Sequence, residues 1–337
     1  MKAVGYHKSL PISDANALFD VTLPTPQPAP RDLRVAVRAV SVNPVDYKVR
    51  LRAAPKNGEP PKVLGFDAAG VVEAVGSDVS LFKPGDEVFY AGSAVRSGTN
   101  AELHLVDERI VGRKPATLSF AQAAALPLTT ITAWEILFDH FGLKRGAAND
   151  GRNILIVGGA GGVGSICIQL ARQLTGLTVF ATASRPETRD WCLKLGAHHV
   201  IDHTKPFAEQ FKAAGYSQIN YVASLTYTDQ HYPQIVPLLA AQAKFAMIDD
   251  PTLDIKPGKP KSVSYHWESM FTRSTFTTPD MIEQHNLLDA LSALVDQGVI
   301  KTTMTREIGV INAENLRKAH ALVESGTSIG KVVLSGW

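Results

Sequence analysis

The chain has 337 residues, 45% of them hydrophobic and 20% charged, with a net charge of +2. That length exceeds one typical core and suits two domains, and the near-neutral balance excludes a protein built mainly to hold nucleic acid or a membrane surface. No apolar run reaches membrane-spanning length, and Met1 to His7 lacks the apolar centre of a secretion signal. Cys167 and Cys192, the only cysteines, lie in apolar helical stretches and read as buried thiols of a cytoplasmic protein.

Residues 1 to 120 read as β-rich. Leu33 to Val40 alternates apolar and polar with period two, a strand signature, while Pro24, Pro26, Pro28 and Pro30 before it mark an extended connector. Asn43-Pro44 favours the start of a turn, and a short helix begins between Asp46 and Arg50. Leu64 to Val72 and Lys83 to Phe89 are strands broken by Gly and Pro turns, the pattern of a small barrel or sandwich. From Ser119 the period becomes helical, with a capped helix at Ser119 to Pro127 and another over Thr130 to Phe138.

Asn153 to Val157 is a short apolar run that stops at glycines, as a buried parallel strand does. Gly159, Gly161 and Gly164 then spell G-x-G-x-x-G before a helical stretch from Ser165, and a second strand follows at Leu177 to Thr182. The first glycine permits a tight turn, the second lets backbone approach a pyrophosphate, and the third lets helix pack on strand. The helix start then offers unpaired N–H groups to the phosphates, so this order of elements predicts a dinucleotide site. An NAD site places Asp or Glu about twenty residues past the glycines; this chain has Ser184, then Arg185 and Arg189. A guanidinium holds a 2′-phosphate in a fork, which predicts NADPH, unless both arginines are ordinary solvated charges. Strand and helix alternate to about residue 250, with later strands at His199 to His203, Ile219 to Ala223 and Ala243 to Ile248, which implies a parallel sheet covered on both faces. Thr278 as N-cap and Pro279 at the first position predict a helix, and Lys331 to Leu334 a final strand.

These stretches resemble the medium-chain dehydrogenase/reductase superfamily, in its zinc-independent quinone oxidoreductase branch, near the bacterial proteins called zinc-type alcohol dehydrogenase-like. The resemblance rests on Asn43-Pro-Val-Asp46, Leu64 to Gly70, Pro84-Gly-Asp86, the glycine loop, Leu195-Gly-Ala197 and Gly330-Lys-Val-Val333. It implies an α/β chain with a GroES-like β-rich catalytic domain over 1–126, completed by 276–337, and a Rossmann NADPH-binding domain over 127–275. It also implies a homodimer paired through an edge strand near Ser262 to His266. The superfamily's zinc ligands fall at Val42-Asn43-Pro44, at Phe66 and at Leu128-Thr129-Thr130, and two cysteines are too few for a structural zinc, so no zinc is expected.

Without a Lewis acid, hydride transfer needs an acceptor that is already electrophilic, a quinone or an α,β-unsaturated carbonyl. The resemblance points to Asn43, Asp46, Tyr47 and Lys48 as catalytic groups, although Asn43 serves equally as a turn former before Pro44 and Lys48 as a plain exposed lysine. Phe66 and Tyr90 are expected to line the substrate pocket, with core packing the alternative. Carried over motif by motif, cofactor contacts fall at Thr130 and at Gly159, Ala160, Gly161, Gly162 and Val163. Ser184, Arg185 and His203 surround the 2′-phosphate, with His203 in place of the family's tyrosine. Met247, Ile248 and Phe271 approach the nicotinamide, and Lys331 reaches the cofactor or is a surface lysine. The other readings are a zinc alcohol dehydrogenase and a non-catalytic NADPH-binding protein.

Overall fold

In the computed structural model, which describes residues 1–337, the chain divides into two units: Met1–Ile131 with Phe271–Trp337, and Thr132–Met270. The first unit opens with β1 (Lys2–Tyr6), β2 (Phe19–Thr22) and β3 (Asp32–Val42). Helix α1 (Pro44–Arg52) follows at once, because Pro44 presets the helical φ at a position whose N–H needs no partner. Then come β4 (Lys62–Val63), β5 (Asp67–Val75), β6 (Glu87–Tyr90), β7 (Leu103–Asp107) and β8 (Val111–Arg113). β1 pairs with β2 and β4, whereas β3 is the spine of the larger sheet, antiparallel to both β5 and β7. Its alternation puts Leu33, Val35 and Val37 at 2% exposure or less, each worth about 1.5–3 kcal/mol of burial. Helix α2 (Phe120–Ala124) starts with a capping box in which Ser119 and Gln122 bond each other's backbone N–H, and α3 (Pro127–Trp134) follows.

The second unit alternates strand and helix: β9 (Asn153–Val157), α4 (Gly162–Leu174), β10 (Thr178–Thr182), α5 (Pro186–Lys194), β11 (His199–Ile201), α6 (Phe207–Ala213), β12 (Ile219–Ser224), α7 (Thr228–Ile235), β13 (Leu239–Met247) and β14 (Ser264–Trp267). The six strands are all parallel, in the order β11-β10-β9-β12-β13-β14, which is the 3-2-1-4-5-6 order of a Rossmann sheet. Every residue of β9 and β10 is buried, as in a strand covered on both faces. Strand order reverses between β9 and β12, so the loop after β9 lies at the switch point where such sheets bind ligands.

The chain then completes the first unit with α8 (Thr272–Phe276), α9 (Glu283–Asp296), β15 (Met304–Glu307), α10 (Ala313–Glu324) and β16 (Lys331–Ser335). β16 inserts antiparallel to β3 and parallel to β15. The unit boundaries fall at 131/132 and 270/271 rather than at 126/127 and 275/276, since the first turn of α3 is bound to Asp67 through Leu128 N–H. The helix expected from Thr278 starts at Glu283 instead. Arg273 grips the Asp280 carboxylate at 3.0 Å, and bonds from Met281 N–H to Thr278 O and from Glu283 N–H to Asp280 O keep 278–282 as turns. No helix is long and apolar enough to cross a membrane.

Between α1 and α10 lies a buried polar group with no partner. His320 is 0% exposed and neither ring nitrogen is hydrogen-bonded. Burial, with the Arg50 charge adding to it, pushes its imidazole down from 6.5 to about 3. Below pH 6.5 the unfolded chain therefore binds a proton that the folded chain refuses, and stability falls as pH drops toward 3. His320→Leu is expected to add about 1–2 kcal/mol at neutral pH by removing the unpaired nitrogens, and more at pH 5. Urea melts at both pH values check this; an equal or smaller gain at pH 5 would refute the assignment.

Candidate functional site

Sheet register brings together residues that are far apart in sequence. β3 sets Ser41 opposite Asp67 and Val42 opposite Val332, so Lys331 arrives beside Asn43 and Asp67. The side chains of Ser41, Asn43, Asp67 and Lys331 are at most 3% exposed. Asp67 Oδ2 accepts from Ser41 Oγ at 2.6 Å, Asn43 Nδ2 at 2.8 Å and Lys331 Nζ at 3.0 Å, and Oδ1 accepts from Leu128 N–H at 2.7 Å. Lys331 Nζ also donates to Asn43 Oδ1 and, at 3.4 Å, to Val42 O. A buried carboxylate is thus matched by an ammonium and three neutral donors, as burial of charge requires. Lys331, expected as a cofactor contact, has its ammonium bonded inside the first unit.

The expected catalytic stretch separates into two parts. Asp46 is 1% exposed, and its oxygens accept from Asn43 N–H at 2.7 Å and Gly65 N–H at 3.0 Å, which makes it a brace for backbone. Burial pushes its carboxyl up to about 7, against those N–H groups and the Lys331 charge. Tyr47 and Lys48 are half-buried, and Tyr47 packs on the barrel core. Phe66 meets Phe271 with ring centroids 4.8 Å apart, an aromatic pair at the edge of the first unit's core. Tyr90 does not line a pocket. It is 0% exposed within the barrel core and donates to His104 Nδ1 at 3.1 Å, while His104 Nε2 donates to Ser97 O. Parity along β6 decides this, since Tyr90 shares the inward face with Val88.

The glycine loop is built as a cradle. A Cβ on Gly159 would stand 2.7 Å from Ala181 Cβ, and one on Gly164 would stand 2.3 Å from Gly158 O, so both positions need glycine for packing. A Cβ on Gly161 would meet nothing nearer than Gly158 O at 3.4 Å, which leaves that side open to a ligand. Gly161 is the N-cap of α4 and supplies no side-chain cap, so the first-turn N–H groups at Gly162 and Val163 are available to an anion. Ala160 is buried beneath them. These features fit a dinucleotide pyrophosphate.

At the end of β10, Ser184 is half-buried and Arg185 is exposed as the N-cap of α5. Arg185 Nε lies 3.4 Å from Glu187, so a carboxylate does sit near the expected phosphate site, one helical turn away from where an NAD-type acid would stand. His203, half-buried past β11, faces His231 with ring centroids 5.6 Å apart. Ile248 is half-exposed, whereas the Met247 side chain is 3% exposed and belongs to the sheet's own core. Thr130 is fully buried in α3 and its hydroxyl has no partner, an acceptor and donor waiting for one.

The pairing of Asp67 with Lys331 and the backbone of Tyr227 escaped sequence reasoning. Asp67 and Lys331 each head an apolar strand, and a charge at the head of a buried strand signals a partner, but not which one. Tyr227, after β12, is left-handed at φ 48° and 58% exposed, next to Thr226, whose methyl lies 3.0 Å from where a Gly158 Cβ would stand. A non-glycine residue strained in this way at the switch point has no sequence signature.

Zinc does not fit this donor set. No three His, Cys, Asp or Glu side chains cluster anywhere in the chain, and the Asp67 carboxylate is already filled by an ammonium and three other donors.

Fold and cradle together define a two-unit oxidoreductase scaffold with a dinucleotide site. The alcohol dehydrogenase GroES-like domain model matches residues 29–132, and the zinc-binding dehydrogenase model matches residues 195–334. A crystal structure described as a zinc-dependent alcohol dehydrogenase of Rhizobium etli has a TM-score of 0.96 and 59% identity, covering 100% of this chain and 98% of that one. A zinc-type alcohol dehydrogenase-like protein of Staphylococcus aureus is 40% identical, covering 99% of this chain and 100% of its own. An NADPH-dependent alkenal/one oxidoreductase of Arabidopsis thaliana is 41% identical over 51% of this chain and 45% of that protein. Escherichia coli quinone oxidoreductase, solved with NADPH, shares the fold at a TM-score of 0.82 and 24% identity over 100% of both chains. The chain belongs to the medium-chain dehydrogenase/reductase superfamily and is an oxidoreductase of that family. The names of its nearer relatives carry zinc, and the donor set of this chain does not fit it.

Proposed function

We propose that the protein is an NADPH-dependent reductase that delivers hydride to a quinone or an α,β-unsaturated carbonyl without zinc. The observation that carries this reading is the donor set of the first unit. It has an aromatic ring at Phe66 and an already neutralised carboxylate at Asp67, and it has no ligands for a Lewis acid, so the acceptor must bring its own electrophilicity. The names of the Arabidopsis and E. coli relatives agree with that acceptor class.

A bound nicotinamide cofactor supplies the hydride. The first turn of α4 would hold its pyrophosphate, and Ser184, Arg185 and His203 its 2′-phosphate. Phe66 and Phe271, their rings inclined at 56°, offer an aromatic wall to an apolar acceptor. Asn43 holds one N–H beyond its bond to Asp67 for an oxygen that gains charge, and Tyr47 or Lys48, both half-buried, returns the proton. Asp46 braces this stretch and takes no part in proton transfer. The protein works in the cytoplasm, where the buried thiols of Cys167 and Cys192 stay reduced, and pairs as a homodimer along β14, whose Trp267 is 67% exposed.

Nicotinamide absorbance, followed with a quinone and an enone in a strong chelator, tests the reading. The expected result is oxidation of NADPH, slower oxidation of NADH, and no response to the chelator. Loss of activity in the chelator would refute zinc independence, and no turnover of either cofactor would refute the reductase assignment.

A further inference from the structure

We propose that Lys331 and Asp67 are positioning residues that set two working groups at once: the amide of Asn43, and the first turn of α3, which carries Thr130. The inference rests on the reductase reading above. An ammonium can only donate and a carboxylate can only accept, so between them the Asn43 amide has one stable orientation. Its oxygen faces Lys331 and its nitrogen faces Asp67 at 2.8 Å. Turned by half a rotation, it would set N–H against the ammonium and oxygen against the carboxylate. The second N–H of Nδ2 is thereby aimed in one direction, and at 1% exposure no bulk water competes to turn it.

The backbone of the same residue is held as well, because Asn43 N–H donates to Asp46 Oδ2 at 2.7 Å. The other oxygen of Asp67 takes Leu128 N–H at 2.7 Å, at the second position of α3, where a negative charge is favoured by the helix dipole. Thr130 lies two residues further on, with its hydroxyl buried and without a partner. One ion pair therefore fixes the rotamer of Asn43 and the helix start that carries Thr130. Stability alone does not account for the pair, because apolar side chains of similar volume commonly serve a core as well or better. What an apolar pair cannot do is choose the face of an amide.

The test uses the full chain as Lys331→Met, Asp67→Asn and the double variant, with kcat, acceptor KM, NADPH affinity by fluorescence and the thermal midpoint. Each single variant strands a buried polar group and is expected to melt lower. The neutral double variant is expected to regain most of its midpoint, while kcat stays down by about tenfold or more and NADPH affinity changes by less than about threefold. If kcat recovers together with the midpoint, the network is structural only and the inference falls. An unchanged kcat with NADPH affinity down by about tenfold overturns it too, since that is a binding role. Should the double variant fail to fold, Asp67→Glu keeps both charges and displaces the carboxylate by one methylene; a kcat within about twofold of wild type then overturns the inference. Wild-type protein that turns over no NADPH overturns the reductase reading and this inference with it, whereas an active wild type isolates the inference.

Discussion

Gly164→Ala is expected to weaken NADPH binding by about a hundredfold, because the displaced group is the loop itself. The new Cβ would stand 2.3 Å from Gly158 O and 2.7 Å from the Gly159 carbonyl carbon and Cα, all of them backbone. No flexible side chain can yield there, so either α4 moves off β9 or the loop between them moves. Overpacking of this kind costs about 1–3 kcal/mol, and a lower melting midpoint should accompany the lost affinity. Gly161→Ala is the informative comparison. Its Cβ would meet only Gly158 O at 3.4 Å, and its φ of −72° suits alanine. That variant should melt like wild type and still bind NADPH poorly, because the methyl enters the space reserved for the pyrophosphate. Fluorescence titration and thermal melts on both proteins decide the matter. Gly164→Ala with affinity within about threefold of wild type would mean that the cradle holds no dinucleotide.

Arg185→Ala is expected to lower kcat/KM for NADPH by about 10–100-fold and to leave NADH within about twofold, as loss of a charge-assisted fork to phosphate should. The effect is held below the upper end by two features of the side chain: it is 43% exposed, and Glu187 competes for it at 3.4 Å. Exposed charges are screened, so the preference for NADPH should narrow as salt rises. Glu187→Gln should move the other way and tighten NADPH modestly by freeing the guanidinium. Steady-state rates with both cofactors at two salt concentrations check all three statements. Equal losses for NADPH and NADH in Arg185→Ala would make Arg185 a structural N-cap of α5 rather than the phosphate ligand.

The parts of the site that were legible in sequence are those whose physics is local. The loop from Gly158 to Gly164 joins a strand to a helix within a dozen residues, and Gly159 and Gly164 are required by contacts inside that span or with the strand beside it. Arg185 follows β10 directly, and the capping box at Ser119 and Gln122 needs four consecutive residues. The parallel sheet follows from alternating apolar runs and helices for the same reason.

Tertiary structure decided the rest. Tyr90 and Met247 sit at the ends of strands where either face was open to them, and closure of the barrel and the helical cover of the sheet turned both inward. The start of α9 depended on an ion pair between Arg273 and Asp280 that outbid a good capping sequence. Asp67 and Lys331 lie 264 positions apart, and only β16 laid beside β3 brings the lysine, expected as a cofactor contact or a surface residue, against that carboxylate. By itself the sequence determined the family scaffold and the dinucleotide cradle, since residue identity and short spacing suffice for those. Which buried charges meet, and which side chains they orient, was settled only by sheet register, because a buried charge chooses its partner by proximity in space and not along the chain.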